Sequence, residues 1–244
     1  MHALEAGPAG LAWAALGKRL GKPQAILIAS AHWETNLPVL TGAARPETIH
    51  DFSGFPAPLY RIRYTAPGEP KVASRAQALL KDAGFTGAVD GTRGLDHGAW
   101  APLLYMYPEA DVPVVQISLQ PALGTRHHLA LGRALRKLEE DNVLVIGSGH
   151  MTHNLRDWMR GAGEPQPYAK EFSQWVGERL EAHDLDSLAD YRARSPHGAR
   201  AHPTDEHFLP LFFALGAARE DYKPERIFTG IDAGVLSMDA YVFN

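Results

Sequence analysis

Three short apolar runs constrain what this chain can fold into: Gln24-Ala25-Ile26-Leu27-Ile28-Ala29-Ser30, Val112-Pro113-Val114-Val115-Gln116-Ile117-Ser118-Leu119 and Asn142-Val143-Leu144-Val145-Ile146-Gly147-Ser148-Gly149. Their apolar residues are consecutive rather than alternating, which is the pattern of strands buried on both faces of a parallel sheet. Segments with helical spacing lie between and around them. Residues 9 to 20 end in Lys18-Arg19 before Gly21-Lys22-Pro23, a stop signal, and further helices are expected around 72 to 83, 126 to 140, 168 to 183 and 205 to 218. Val235 to Phe243 reads as a last strand. This alternation predicts an α/β fold: a single three-layer catalytic domain over residues 1–244, with a mostly parallel central sheet and helices on both faces. No repeat or composition shift marks a second domain, and residues 159 to 167 read as a loop.

Apolar residues make up 45% of the chain and charged residues 21%, with a formal charge of -4, so neither disorder nor a basic nucleic-acid surface is expected. A small soluble partner fits better. There is no cysteine, which excludes disulfides, iron–sulfur clusters and thiolate zinc sites and leaves nitrogen and oxygen to hold any metal. No apolar run reaches the ~20 residues that a membrane-spanning helix needs. The start, Met1-His2-Ala3-Leu4-Glu5-Ala6-Gly7, lacks the pattern of a secretory signal. The expectation is a cytoplasmic protein with no membrane or nucleic-acid partner, and a homo-oligomer is compatible with it.

Twelve histidines are distributed largely in short phrases: Ala31-His32-Trp33-Glu34, Ile49-His50-Asp51-Phe52, Asp96-His97-Gly98, Gly149-His150-Met151-Thr152-His153-Asn154 and His202-Pro203-Thr204-Asp205-Glu206-His207. Imidazole is the commonest side-chain ligand for transition metals and the usual acid or base near neutral pH. His32 ends the first apolar run, and His150 and His153 follow the third, where open α/β sheets bind their ligands. Phosphate loops, dinucleotide fingerprints, HExxH and GxSxG are all absent, so nucleotide binding and serine hydrolysis lose support.

Taken singly, each histidine has an ordinary alternative. His50 fits a surface loop, His207 a helix start capped by Thr204 or Asp205, and His153 a helix cap. His150 fits a packed strand end, and His202 a loop beside Pro203. His127, His128, His183 and His197 are expected to face solvent. Asp205 or Glu206 is a candidate carboxylate in a His-His-Glu set, against the plainer role of serving a helix dipole.

Together the phrases resemble the class III extradiol ring-cleavage dioxygenases, specifically their 4,5-DOPA dioxygenase branch. The resemblance rests on Ser30-Ala31-His32-Trp33-Glu34-Thr35, His50-Asp51-Phe52-Ser53-Gly54-Phe55-Pro56 and Gly94-Leu95-Asp96-His97-Gly98-Ala99-Trp100. It continues through Thr152-His153-Asn154-Leu155-Arg156, Glu206-His207-Phe208-Leu209-Pro210-Leu211 and Gly234-Val235-Leu236-Ser237-Met238. It implies a non-haem Fe(II) enzyme that opens a catechol, DOPA-like or related, with O2.

By the same resemblance His50 and His207 are metal ligands, and His153 is the proton-shuttling histidine that also approaches the metal. His97 is a second catalytic histidine, while His32, Asp51 and Trp100 support the site or contact substrate. Zn(II) is the alternative bound metal. The competing function is a zinc-binding or metal-poor member acting as a hydrolase or small-molecule binding protein. One departure stands out: the family opens with a strand ending in His-Gly-Ser-Pro, which supplies its first metal-binding histidine, and this sequence begins at Met1-His2-Ala3 just after that point. The expectation is an N-terminally short chain lacking that strand and ligand, with weaker metal binding and lower stability. His2 could take that ligand's place only if the N-terminus folded back, and a terminal residue is more often disordered than a ligand.

Overall fold

The computed structural model describes residues 3–161 and 163–244. The chain runs α1 (Gly7–Leu20), β1 (Ala25–Glu34), β2 (Val39–Thr41), α2 (Pro70–Asp82), β3 (Ala88–Asp90), α3 (His97–Met106), β4 (Val114–Leu119), α4 (Gly124–Leu135) and β5 (Val143–Ser148). The short helices α5 (Leu155–Met159), α7 (Leu185–Ala189), α8 (Tyr191–Arg194) and α9 (Gly198–Ala201) surround α6 (Pro167–Glu181) and precede α10 (Leu209–Ala217). Four short strands close the chain: β6 (Pro224–Phe228), β7 (Ile231–Asp232), β8 (Leu236–Ser237) and β9 (Ala240–Phe243).

The three apolar runs form the centre of a five-stranded sheet with the order β3-β2-β4-β1-β5. β1 pairs in parallel with β4 and β5, β2 in parallel with β3, and only β2 against β4 is antiparallel. Side chains of β1 alternate between two cores. Ala25, Leu27 and Ala29 pack with α2, α4 and α10, while Ile26 and Ile28 pack with α1 and α3. Each fully buried Ile or Leu contributes roughly 1.5–3 kcal/mol, which makes β1 the strand both layers depend on. A third core gathers α6, the short helices and Phe208 and Phe212. Among the described residues no helix is long and apolar enough to cross a membrane.

Three expectations need correction. Val235 to Phe243 is not one strand of the main sheet; it forms β8 and β9 in two separate ribbons, β7–β8 and β6–β9. Asp239 breaks it, because its carboxylate accepts from Gly230 N–H and Ser173 Oγ and turns the chain between them. β5 is only half-buried beyond Val143, since it is the sheet edge beside a cavity of about 500 Å³ bounded by α1, α10 and β9. His128 does not face solvent: it is fully buried, with Nδ1 donating to the Gly124 carbonyl and Nε2 accepting from Gln120 N–H.

Two measurements follow from these packing arrangements. Burial pushes His128 down to about 4, so its neutral form stabilises the fold fully above the unfolded value near 6.5. That contribution is lost as pH falls from 6.5 towards 4, because the unfolded chain takes the proton first. Denaturation midpoints measured across this window fall with decreasing pH, and the slope is shallower in His128→Leu. Separately, a Cβ on Gly132 of α4 would lie 2.1 Å from the Phe213 carbonyl of α10. Gly132→Ala is expected to cost about 3 kcal/mol by overpacking, read from chemical denaturation.

Candidate active site

The alternation of β1 carries on past its core residues and turns Ser30 and His32 towards α3, the face that Ile26 and Ile28 share. Ser30 Oγ donates to Asp96 Oδ1 at 2.7 Å, and the same carboxylate caps α3 by accepting from Ala99 N–H at 3.2 Å. Ser148, at the end of β5, donates its hydroxyl to the Gly98 carbonyl. Gly98 permits this approach, for a Cβ there would sit 2.2 Å from Ser30 Oγ. The first turn of α3 is thereby pressed onto the sheet, and the His97 ring comes within 3.9 Å of His32, centroid to centroid.

Asp51 completes this first group. Its Oδ1 accepts from the His97 backbone N–H at 2.9 Å, and its Oδ2 lies 2.9 Å from His97 Nδ1 and 3.3 Å from His32 Nδ1. Burial pushes the Asp51 carboxyl up, but the hydrogen bonds and charge of His97 outweigh it and hold the group at about 2. Burial, reinforced by His97, lowers His32.

The second group forms where the chain leaves β5. His150 N–H donates to the His207 carbonyl at 3.0 Å, Met151 N–H to Ser237, and His153 N–H to Ala201 at 2.8 Å. These backbone ties bring His150, His153 and His207 together with one ring nitrogen from each within 4.8 Å of the others. His150 Nδ1 and His207 Nδ1 are 3.1 Å apart, and the His153 and His207 rings stack at 3.4 Å and 16°. Burial holds His207 well below its ordinary value and pushes His153 down to about 4.

Both are neutral at pH 7, with lone pairs available for a metal or a proton. Two nitrogens bound at right angles to one ion at ~2.1 Å lie about 3 Å apart, so the 3.1 Å spacing suits a shared cation. The two groups meet edge to face, His32 against His207 at 5.0 Å.

The structure therefore brings together His207 and His153, and on the facing side His97, His32 and Asp51. It does not bring His50 into the nitrogen triad. His50 Nε2 lies 3.0 Å from the Ile62 carbonyl, and its ring packs on Phe52 at 5.7 Å and Trp100 at 5.8 Å. Trp100 is fully buried, with its indole N–H donating to Ile49, and so anchors the His50 segment. Phe52 in turn meets His97 at 5.4 Å, which makes His50, Phe52 and Tyr60 an aromatic wall beside the first group. His2 lies outside the described residues.

His150 takes the third place in the triad, a position its spacing of three from His153 after a strand was able to suggest. His202 is buried behind the site, with Nε2 donating to the Met151 carbonyl and burial pushing it down to about 3. Asp205 is taken up by Tyr191 and Arg192, and Glu206 accepts from Thr204. Among the described residues neither carboxylate joins a donor group.

Residues 10–240 match the family described as the catalytic LigB subunit of aromatic ring-opening dioxygenase. The 4,5-DOPA dioxygenase extradiol of Beta vulgaris is 45% identical over 223 residues, covering 91% of this chain and 83% of that protein. The 4,5-DOPA dioxygenase extradiol of Escherichia coli K12 is 38% identical over 247 residues, covering 98% and 89%. The crystal structure of an uncharacterized protein from Escherichia coli K12 aligns with a TM-score of 0.81 at 33% identity, covering 95% of this chain and 91% of that one.

Titration with Co(II), followed by its visible absorption, tests the triad. His207→Ala is expected to weaken binding by more than the ~10–100-fold typical of losing an outer-shell partner. The larger loss between His150→Ala and His50→Ala identifies the third nitrogen.

Proposed function

This chain belongs to the LigB family and is an extradiol aromatic ring-opening dioxygenase, and we propose that it opens the ring of a catechol, DOPA-like or related, with O2 and a non-haem Fe(II). One observation carries this reading: three imidazole nitrogens converge within 4.8 Å beyond the end of β5, opposite a second set of two histidines and a carboxylate. The donor chemistry fits a first-row divalent ion, since it is all nitrogen, with no thiolate in the chain. His207 would hold the metal, with further nitrogens from His150 as gathered here or from His50 as the likeness of its phrase implies, and His153, stacked on His207, would stand beside the metal with its one lone pair free for a proton.

When bound, Fe(II) supplies the electron path between a catecholate and O2, which redox-inactive Zn(II) does not. The protein's own groups do the rest. His153, neutral because it is buried, accepts a catechol hydroxyl proton, and His97 on the opposite side accepts or returns a proton near the ring. Phe52 and Tyr60 offer an aromatic wall for the substrate ring, and Trp100 holds that wall by its bond to Ile49. The DOPA in the names of the relatives supports a catechol bearing an amino-acid side chain. A chain without cysteine fits a reducing cytoplasm, and the proposed unit of catalysis is one domain over residues 1–244.

Anaerobic loading with Fe(II), followed by DOPA and air, is expected to give a yellow ring-opened product with one O2 consumed per catechol. The zinc-loaded protein is expected to be inert. Absence of product from the iron-loaded chain overturns the reading, and turnover by the zinc form without O2 uptake points instead to a hydrolase.

A further inference from the structure

We propose that Asp51 is a positioning residue that fixes two histidines at once, holding His32 and His97 with Nδ1 protonated and leaving the lone pair of each ring on Nε2. The geometry requires it. An ionised carboxylate only accepts hydrogen bonds, so a ring nitrogen facing it must carry the proton. Asp51 Oδ2 faces two such nitrogens, at 2.9 Å and 3.3 Å, and both are Nδ1. In its neutral form each imidazole has one N–H, so with Nδ1 protonated by this contact the lone pair of each ring lies on Nε2.

The carboxylate has little freedom to turn away. Its second oxygen accepts from the His97 backbone N–H at 2.9 Å, so both oxygens are committed to the same partner residue. The three side chains are partly exposed, 21% for Asp51, 27% for His32 and 30% for His97, so the bonds are held by geometry at the rim of the site. The strand-and-helix contact that places the two rings 3.9 Å apart comes from Ser30, Asp96 and Gly98, none of which touches a ring nitrogen. Strand and helix are therefore brought together by other residues, while Asp51 holds the start of the helix through the His97 backbone and sets the tautomer of both rings.

The consequence for activity rests on the ring-opening reading given above. A histidine that accepts or returns a proton through Nε2 must not already carry the resting proton there. In the serine-protease triad, changing the orienting carboxylate to an amide leaves the geometry intact and lowers kcat by about 10⁴ through the wrong tautomer. In Asp51→Asn, the amide oxygen can keep the His97 backbone N–H. The amide NH2 then faces the two rings and demands a lone pair on Nδ1, which moves both protons to Nε2.

The test uses protein labelled with 15N-histidine and loaded with zinc, which is diamagnetic, and reads ring tautomers from long-range 1H–15N correlations. Two rings, assigned to His32 and His97 by single substitution, are expected in the Nδ1–H form in the wild-type chain and in the Nε2–H form in Asp51→Asn. In the iron-loaded enzyme, Asp51→Asn is expected to lose at least about 100-fold in kcat with KM held within about threefold, and Asp51→Glu to recover part of that loss. Three results overturn the proposal: Nε2–H tautomers in the wild type, a kcat for Asp51→Asn within about threefold of wild type, or a second zinc per chain that Asp51→Asn removes. The last would mean that His32, Asp51 and His97 ligate a cation of their own. The tautomers are read without substrate, so a chain that opens no catechol still confirms or rejects the role of Asp51.

Discussion

A buried carboxylate, Asp96, joins the central sheet to the helix that begins the active site. It is fully buried and accepts from Ser30, Gln116 and the Ala99 backbone, with Arg93 at 3.3 Å. An isolated charge in that position would be prohibitive, and removing one partner of a buried pair typically costs about 3–5 kcal/mol. The group is tolerable because every direction around it supplies a donor. Arg93, which also lies over the Trp33 ring at 4.4 Å, links the pair to the end of β1. The sheet end, the helix cap and the first wall of histidines are thus parts of one hydrogen-bonded unit.

Neutral imidazoles recur throughout the second wall. Burial lowers His153, His202 and His207, and neighbouring rings add to it, His32 for His153 and the other histidines of this wall for His202 and His207, because a proton on one ring disfavours a proton on the next. The protein thereby keeps several nitrogen lone pairs close together at neutral pH in a chain that has no thiolate. Such a cluster is poor at holding protons and well suited to a divalent ion, whose charge the surrounding apolar residues do not otherwise offset. Asp51 is the counterpoint: ionised and bonded to two rings, it puts the negative charge of the site on the opposite wall.

Much of this was legible in the residues. Consecutive apolar runs identified β1, β4 and β5, and helical spacing identified α1, α2, α4 and α6, because both signals depend on near neighbours in the chain. α3 escaped notice because it is short, apolar on most sides and contains Pro102, so it has no polar face to betray its period. β2 and β3, three residues each, are too short to show any. In the site, His153 and His207 were visible through their phrases, and His97, His32 and Asp51 as members of theirs. The bond between Asp51 and His97 spans 46 residues, and the one between His150 and His207 spans 57, so neither pairing leaves a local trace. The burial of His128 was hidden for a similar reason, since its partners are the backbone of Gly124 and Gln120 rather than a spacing of apolar side chains.

The aromatic wall is attached differently from the histidines it borders. The rings of Phe52, Phe55 and Tyr60 pack chiefly on one another and on His50, with the Phe55 N–H donating to the Tyr60 hydroxyl, whereas the histidines hang from strand ends tied backbone to backbone. Phe52 also meets His97, so the wall joins the first group of histidines through that ring, whereas the triad is tied by backbone bonds at the end of the sheet. The site is in this sense divided into histidines fixed to the sheet and a neighbouring wall of rings held largely by one another, so sequence change has a lower-cost route through residues 52 to 60 than through the histidines.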